Sequence, residues 1–471
     1  MTSGVDPDAE AGAVTLTSRV VASGRRRVYG WVIVAAAFFC SFVVDGVAGS
    51  ISMFLDNFRE VTADCQKEAG NGTSTGQCLS SSLTSLVGSF LYGVYLLMGP
   101  IACSLADTFG YRLIIFSGSL IAASGFAVSF FVNNLYVLIV TYGVIGGMGF
   151  GLIYSPSIMY VCAYFKEGNA LAVGLTVCGS SVGGMVFPLI VTALLHIWHW
   201  QGTMLFLAGV ALLCCVAAAA MFDPQHKAHT QPLSVRPRGG GCLPPLVKEA
   251  LHDMTRLSIY RHPAFLLYSI ASFIGSLALL TPIFFLPDLA QSLYGITKDT
   301  SAYTMTAVNC ANLAGRIAWG AVIDRSGWDP LKLHNACILL GGVWLGLLPV
   351  CGTFAGMLVD GAVYGFFIAP YISLMAVILS SRLGPEQLPL AFGQTQLLAG
   401  IASMLGPPIA EIISGAPAFY SSGALWIVAA LIGSLIFLLP KSGKLSVKQE
   451  TSGDPTNAVL ESAQLTAVVD A

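Results

Sequence analysis

One cation stands inside a long apolar stretch of the sequence. Arg316 lies eight residues before Asp324, in a run rich in Ala, Val, Leu and Ile. On a helix, Asn312 at i−4 and Asn309 at i−7 lie on the same face as Arg316, so the three polar side chains form one stripe. A planar guanidinium suits a carboxylate, which it holds through two parallel hydrogen bonds. The stripe therefore predicts a helix that lines a polar cavity and binds a carboxylate.

The depth of Arg316 in an apolar run allows two interpretations. A charged side chain in lipid costs about 3 kcal/mol or more, so such residues usually face protein or water and mark functional sites. The alternative is that the long side chain reaches the nearer aqueous interface. The two Asn neighbours favour a cavity.

A second charge, Asp45, lies near the middle of the first apolar run, with Ser41 at i−4 and Ser52 at i+7 on its face. A buried cation without a counter-charge is costly. Asp45 could therefore be the counter-ion of Arg316, released or protonated when a substrate carboxylate arrives. It could instead bind the ammonium or guanidino end of a zwitterion. A third interpretation is an Asp satisfied by nearby hydroxyls, with no functional part.

The composition predicts an all-α polytopic membrane protein. Of the 471 residues 55% are hydrophobic and 10% charged, and the mean hydropathy is +0.76. An apolar run of about 20 residues is long enough to cross a bilayer as a helix. Twelve such runs predict twelve transmembrane helices, at 30–54, 82–105, 113–132, 135–163, 170–196, 203–222, 264–288, 302–323, 333–352, 355–380, 390–415 and 422–440.

The Lys and Arg residues predict the orientation. Eighteen of the 22 lie in the N-terminal segment, the even-numbered connections and the tail, whereas only Arg59, Lys67 and Lys298 lie in the odd-numbered connections. Cytoplasmic loops carry the excess of positive charge. Both termini are therefore expected in the cytoplasm, with the protein in the plasma membrane. The net charge of −2 gives no sign of a nucleic-acid partner.

An Asp-x-x-Gly pattern follows the second and the eighth runs. Its residues are Asp107, Gly110 and Arg112 in the first copy and Asp324, Arg325 and Gly327 in the second. Alone, the pattern is a common helix-ending turn. Its recurrence 217 residues apart indicates a repeat of two halves, and the loop resembles the cytoplasmic signature of the major facilitator superfamily. These loops are expected to close an inner gate, with the basic residues pairing with the Asp or with a helix end.

The repeat predicts two pseudo-symmetric six-helix bundles. The expected segments are a cytoplasmic N-terminal segment (1–28), an N-terminal bundle (29–222), a cytoplasmic linker (223–262), a C-terminal bundle (263–440) and a cytoplasmic tail (441–471).

One outer loop carries modification signals. Cys65 and Cys78 can pair in an oxidising compartment, and Asn71 opens an Asn-Gly-Thr sequon. The alternative is two free thiols and an unused sequon.

Several stretches together resemble the monocarboxylate transporter family, especially its invertebrate-type members, over about residues 29–440. They are Tyr29-Gly30-Trp31 with Asp45-Gly46, Leu171 to Gly183, Ala314-Gly315-Arg316, Gly365-Phe366-Phe367 with Tyr371, and Gly406-Pro407-Pro408. The resemblance implies alternating-access transport of lactate- or pyruvate-like carboxylates, anchored by Arg316, without a cofactor. A co-transported proton and a single-span accessory glycoprotein are left open as partners beside the substrate and the membrane lipid.

Two parts of the proton relay of this family are missing. The acid that its proton-coupled lactate carriers place four residues before the arginine is Asn312 here, and their helix-1 lysine falls at Gly49. Asp45 is the residue that could replace them.

Three aromatic residues are candidate cavity walls, although packing is the usual role of such residues. They are Tyr154, Phe367 and Tyr371, and Pro156 predicts a kink just after Tyr154. Of the remaining polar residues, Asp360 is expected to be interfacial. His196 and His199 are spaced to bind a metal, although an aqueous rim is the simpler interpretation.

Two other functions remain open. One is a facilitative carrier of amino acids or creatine-like zwitterions, and the other is a non-transporting membrane receptor or sensor on the same scaffold. An enzyme is not expected, because no run carries a recognisable nucleophile and base, a metal-ligand cluster or a phosphate loop.

Overall fold

The computed structural model describes residues 29–54, 57–58, 74–132, 134–165, 170–221, 257–384 and 387–438. All of them lie within one compact unit that ends at Leu439. Within these ranges every regular element is a helix and no strand occurs, as the composition predicts. The division into two six-helix bundles stays a prediction.

The longer helices are numbered in chain order. They are α1 (Tyr29–Phe54), α2 (Ser74–Leu97), α3 (Gly99–Phe109), α4 (Tyr111–Ser129), α5 (Leu135–Tyr164), α6 (Ala170–Ala220), α7 (Pro263–Tyr294), α8 (Lys298–Ser326), α9 (Pro330–Leu347), α10 (Phe354–Leu383), α11 (Leu388–Ile413) and α12 (Gly415–Ser434). Short 3₁₀ segments precede α7 and follow α9 and α12, at Leu257–Arg261, Leu348–Val350 and Leu435–Leu438.

Among the described residues, nine helices are long and apolar enough to cross a membrane, and α2 with α3, bent by 43°, makes ten. The predicted number of spans, twelve, is higher than this count for two physical reasons. The runs 170–196 and 203–222 both lie on α6, which is two helices joined at His199, where φ is 56°. The run 302–323 lies on α8, where Arg316 and its polar neighbours make the helix less apolar.

A glycine lets α1 pack closely on α6. A Cβ atom added to Gly179 would lie 2.0 Å from the backbone oxygen of Phe38. Small residues allow helix backbones this close approach. The contact brings Asp45 of α1 within hydrogen-bond reach of Ser180 on α6.

Another glycine brings α10 against α8. A Cβ atom at Gly365 would lie 2.1 Å from the backbone oxygen of Val308. The carbonyl oxygen of Gly365 then accepts a hydrogen bond of 2.9 Å from Nδ2 of Asn312. Because α8 also packs along α6, its polar stripe lies between two neighbouring helices.

The helix α5 continues through Pro156, within Gly147–Tyr164, and the kink predicted there stays a prediction. A departure from α-helical geometry that sequence reasoning missed is the π-helical stretch Ile139–Gly146. Such π-helical turns occur often at functional sites, but this one lies on the part of α5 before Tyr154.

Candidate functional site

A cavity of about 120 Å³ lies among α1, α2, α5, α6, α7, α8, α10 and α11. A single water needs about 10–15 Å³ on this scale, so the cavity has room for a small organic solute. Five of the predicted site residues line it: Arg316, Asn309, Asp45, Tyr154 and Tyr371. We call it the central cavity.

Arg316 is buried, with 5% of its surface exposed. Its Nε donates a hydrogen bond of 2.8 Å to Oδ1 of Asn312, and its Nη1 donates to the carbonyl oxygen of Val177 on α6. The side chain therefore bonds to its neighbours inside the protein and does not reach for the interface. Both acceptors are neutral, and a guanidinium carries five N–H donors in all. Donors remain for an anion in the cavity.

The two Asn residues hold α8 to its neighbours. Oδ1 of Asn312 accepts a second hydrogen bond of 2.8 Å from Oγ of Ser181, while Nδ2 binds α10 as described above. Nδ2 of Asn309 donates to the carbonyl oxygen of Gly184 at 3.2 Å and to that of Met305 at 2.9 Å. Asn312 therefore orients Arg316, and Asn309 faces the solute space.

Asp45 has two hydroxyl partners that sequence reasoning missed. Tyr95 of α2 donates to Oδ1 at 3.1 Å, and Ser180 of α6 donates to Oδ2. The two serines on the same face of α1 do not serve this purpose, since the buried hydroxyls of Ser41 and Ser52 make no hydrogen bond within the described chain. The glycines flanking Ser180 were the available signal, because they mark where α6 meets another helix.

Asp45 and Arg316 line the same cavity without touching. Both residues are described, and no ion pair of 4.0 Å or less joins them. Two opposite charges that share a small cavity attract each other strongly at low dielectric. The space between them can therefore receive a group that neutralises either charge.

The three predicted aromatic walls are placed differently. Tyr154 lies edge-on to Tyr95, with ring centroids 5.5 Å apart. The hydroxyl groups of Tyr371 and of Ser276 on α7 are joined by a hydrogen bond of 2.7 Å. Phe367 does not line the central cavity, because its ring packs beside Trp319 at 6.2 Å between centroids.

The two Asp-x-x-Gly loops end helices, as predicted. The glycines adopt positive φ, 92° at Gly110 and 64° at Gly327, which glycine accepts at no steric cost. Oδ2 of Asp324 accepts a hydrogen bond of 3.2 Å from the backbone N–H of Leu171, in the first turn of α6. An acidic group is favourable at a helix N-terminus. Asp107 accepts a hydrogen bond of 2.6 Å from Tyr111 on the next helix.

Polar contacts join α6 to α8 along their whole shared length. We call this row the α6–α8 seam, and its contacts are Asp324–Leu171, Arg316–Val177, Asn312–Ser181, Asn309–Gly184 and Asp299–His196. The last is an exposed pair at 3.4 Å. Arg112 and Arg325 of the predicted gate loops lie at the surface.

Two further predictions concern charged or metal-binding groups. No group of three His, Cys, Asp or Glu residues able to hold a metal occurs in the described part of the chain, and His196 belongs to the seam. Asp360 is buried, and its Oδ2 has no hydrogen-bond partner in the described part of the chain; its place at the membrane interface stays a prediction. Cys65, Asn71 and the side chain of Cys78 lie outside the described residues.

Known sequences that are similar to this chain indicate the same family as its sequence motifs do. A sequence model of the Major Facilitator Superfamily matches residues 33–359. The chain is 26% identical over 451 residues to Monocarboxylate transporter 12 of Xenopus laevis, covering 93% of each chain. It is 24% identical over 462 residues to Monocarboxylate transporter 1 of Mus musculus, covering 91% of this chain and 90% of that protein.

Solved structures share the fold. The chain is similar to a partially occluded, inward-open xylose transporter XylE from E. coli, with a TM-score of 0.62, 16% identity and coverage of 88% of this chain and 99% of that one. It is also similar to the human organic anion transporter MFSD10, with a TM-score of 0.58, 16% identity and coverage of 86% and 99%.

Proposed function

This chain belongs to the Major Facilitator Superfamily, and we propose that it carries small monocarboxylates across the membrane with Arg316 as the carboxylate anchor. It is a membrane transporter and not an enzyme, and the predicted resemblance to monocarboxylate transporters is confirmed. The lactate- or pyruvate-like substrate, the coupling and the role of each residue belong to the proposal.

One observation carries the proposal. Arg316 lines the central cavity, is buried, and has only neutral hydrogen-bond partners. A buried cation is stable only when paired or well hydrogen-bonded, and a carboxylate can add two charge-assisted hydrogen bonds. The names of the relatives support the choice of a monocarboxylate over other anions.

Asp45 is proposed as the coupling or counter-charge residue. In the empty carrier its charge balances Arg316 across the cavity. When a substrate carboxylate takes the guanidinium, Asp45 loses its counter-charge and favours a proton, which would then cross with the substrate. Asp45 would then take the part of the acid that the proton-coupled carriers of the family have at the position of Asn312.

The α6–α8 seam is proposed as part of the gate. The segments 29–222 and 263–440 would be six-helix bundles that rock against each other, with Asp107 and Asp324 loops closing the inner side. In this arrangement both termini are cytoplasmic and the protein lies in the plasma membrane. The proposal leaves open whether a single-span accessory glycoprotein is a partner.

Uptake measurements test the proposal. Labelled lactate and pyruvate are supplied at two external pH values to cells that express equal surface amounts of wild-type protein, Arg316→Ala, Asp45→Asn, or the control Lys332→Ala, which removes an exposed cation of α9. Uptake should be lost in Arg316→Ala and kept in Lys332→Ala. Stimulation at low pH that disappears in Asp45→Asn would establish coupling. Arg316-independent uptake, or solute binding without uptake, would refute the proposal, and the latter outcome would favour a receptor.

A second candidate is a facilitative carrier of zwitterions. It is favoured by the gap between Asp45 and Arg316, since an amino acid or creatine-like solute could satisfy both charges at once. The same assay distinguishes it when labelled amino acids and creatine are included. Zwitterion uptake that is insensitive to pH and lost in both Asp45→Asn and Arg316→Ala would support this candidate over the first.

A further inference from the structure

A second cavity, of about 90 Å³, lies beside the central cavity among α7, α8 and α10. Arg316, Asn309 and Tyr371 line both cavities. A solute held by the guanidinium in the central cavity can therefore extend another group into this second space.

The walls of the second cavity differ in chemistry from those of the central one. Six residues line only the second cavity: the uncharged polar residues Asn312 and Tyr364, and the apolar residues Pro282, Leu286, Val308 and Ile368. The last three belong to the buried core of this part of the protein. A charged group would lose its hydration here without gaining a new counter-charge beyond Arg316, whereas an alkyl group would gain by leaving water. We call this space the alkyl pocket.

We propose that the alkyl pocket binds the hydrocarbon chain of the carboxylate that Arg316 anchors, and so selects acids with a longer alkyl group over acids of lactate size. This rests on the proposed function of Arg316. A cavity of about 150 Å³ lined by apolar residues accepts a benzene molecule. The alkyl pocket is smaller than that, at about 90 Å³, so it accommodates about three or four carbons.

The expected gain follows from burial of methylene groups. Each methylene that leaves water contributes about 0.8 kcal/mol, which corresponds to about a fourfold change in affinity. Inhibition constants of straight-chain acids should fall by up to that factor per carbon until the pocket is full, and then stop falling.

Competition against labelled lactate uptake tests the pocket. Unlabelled straight-chain acids from acetate to octanoate are compared as inhibitors of the wild-type protein and two variants. Ile368→Ala enlarges the pocket and should move the best inhibitor to a longer chain, whereas Val308→Met fills it and should move the best inhibitor to a shorter one.

The control is Ile338→Ala, a buried Ile of the same core that lines neither cavity. It should keep the wild-type order of inhibitors. Equal inhibition at every chain length, together with lactate uptake that depends on Arg316, would refute the alkyl pocket and leave the proposed function intact. A shift in Ile338→Ala as large as that in Ile368→Ala would also refute it. Loss of Arg316 dependence would refute the proposed function itself.

Discussion

Replacing Asn312 by Asp tests how Arg316 is kept available to substrate. Oδ1 of Asn312 accepts from Nε of Arg316 at 2.8 Å, and Nδ2 donates to the carbonyl oxygen of Gly365 at 2.9 Å. In Asn312→Asp an ionised carboxylate would pair with the guanidinium and place an oxygen against the Gly365 carbonyl. A proton on that oxygen would restore the hydrogen bond to α10 and remove the competing charge.

The magnitude follows from the change in the Arg316 contact. A hydrogen bond between neutral groups contributes about 0.5–1.5 kcal/mol and one to a charged group about 1.5–3 kcal/mol. In the wild-type protein the guanidinium already donates to the neutral amide of Asn312. We therefore take only the difference between the two kinds of hydrogen bond, about 1–2 kcal/mol, as the added free-energy cost of substrate binding in Asn312→Asp. This raises KM by about 5- to 30-fold. The increase should be present at neutral pH and fade as the external pH falls, since protonation restores the wild-type contacts.

The assay is lactate uptake over a range of concentrations at pH values near neutrality and well below it. Asn335→Asp serves as the control, because Asn335 is a buried amide that lines neither cavity and whose Nδ2 donates to Oγ of Ser434. An unchanged KM in Asn312→Asp would refute the reasoning. The same would hold if the rise in KM were as large in Asn335→Asp, or if it persisted at low pH.

Three further predictions concern stability, read as thermal unfolding of the purified protein in detergent. Gly365→Ala should destabilise the fold by about 1–3 kcal/mol, because the new Cβ would lie 2.1 Å from the backbone oxygen of Val308. The control is Gly346→Ala, whose Cβ would meet nothing within 4 Å; it should leave stability unchanged or raise it by up to about 1 kcal/mol. Asp360→Asn should keep or raise the unfolding temperature, because Oδ2 is buried without a partner; a large loss would show that the carboxylate has a structural role. Gly327→Ala should cost about 1 kcal/mol, because φ is 64° there, and unchanged stability would contradict this.

The sequence by itself determined the class, the family and five of the residues that line the central cavity. Length and apolarity of the runs demand helices in a membrane, since the hydrocarbon region leaves every backbone polar group to be satisfied within the helix. The spacing of Asn309, Asn312 and Arg316 places them on one face of α8 by helical geometry alone. Those features depend on local periodicity, which a sequence displays directly.

Only the tertiary structure decided what these side chains touch. Tyr95 and Ser180 became the partners of Asp45, and Val177 that of Arg316, because glycine contacts set which helices approach and at what height. Helix packing likewise places the ring of Phe367 beside Trp319 and not on the predicted cavity wall. Contacts between different helices depend on how the helices pack in three dimensions, and the periodicity of one helix carries no record of its neighbour's position.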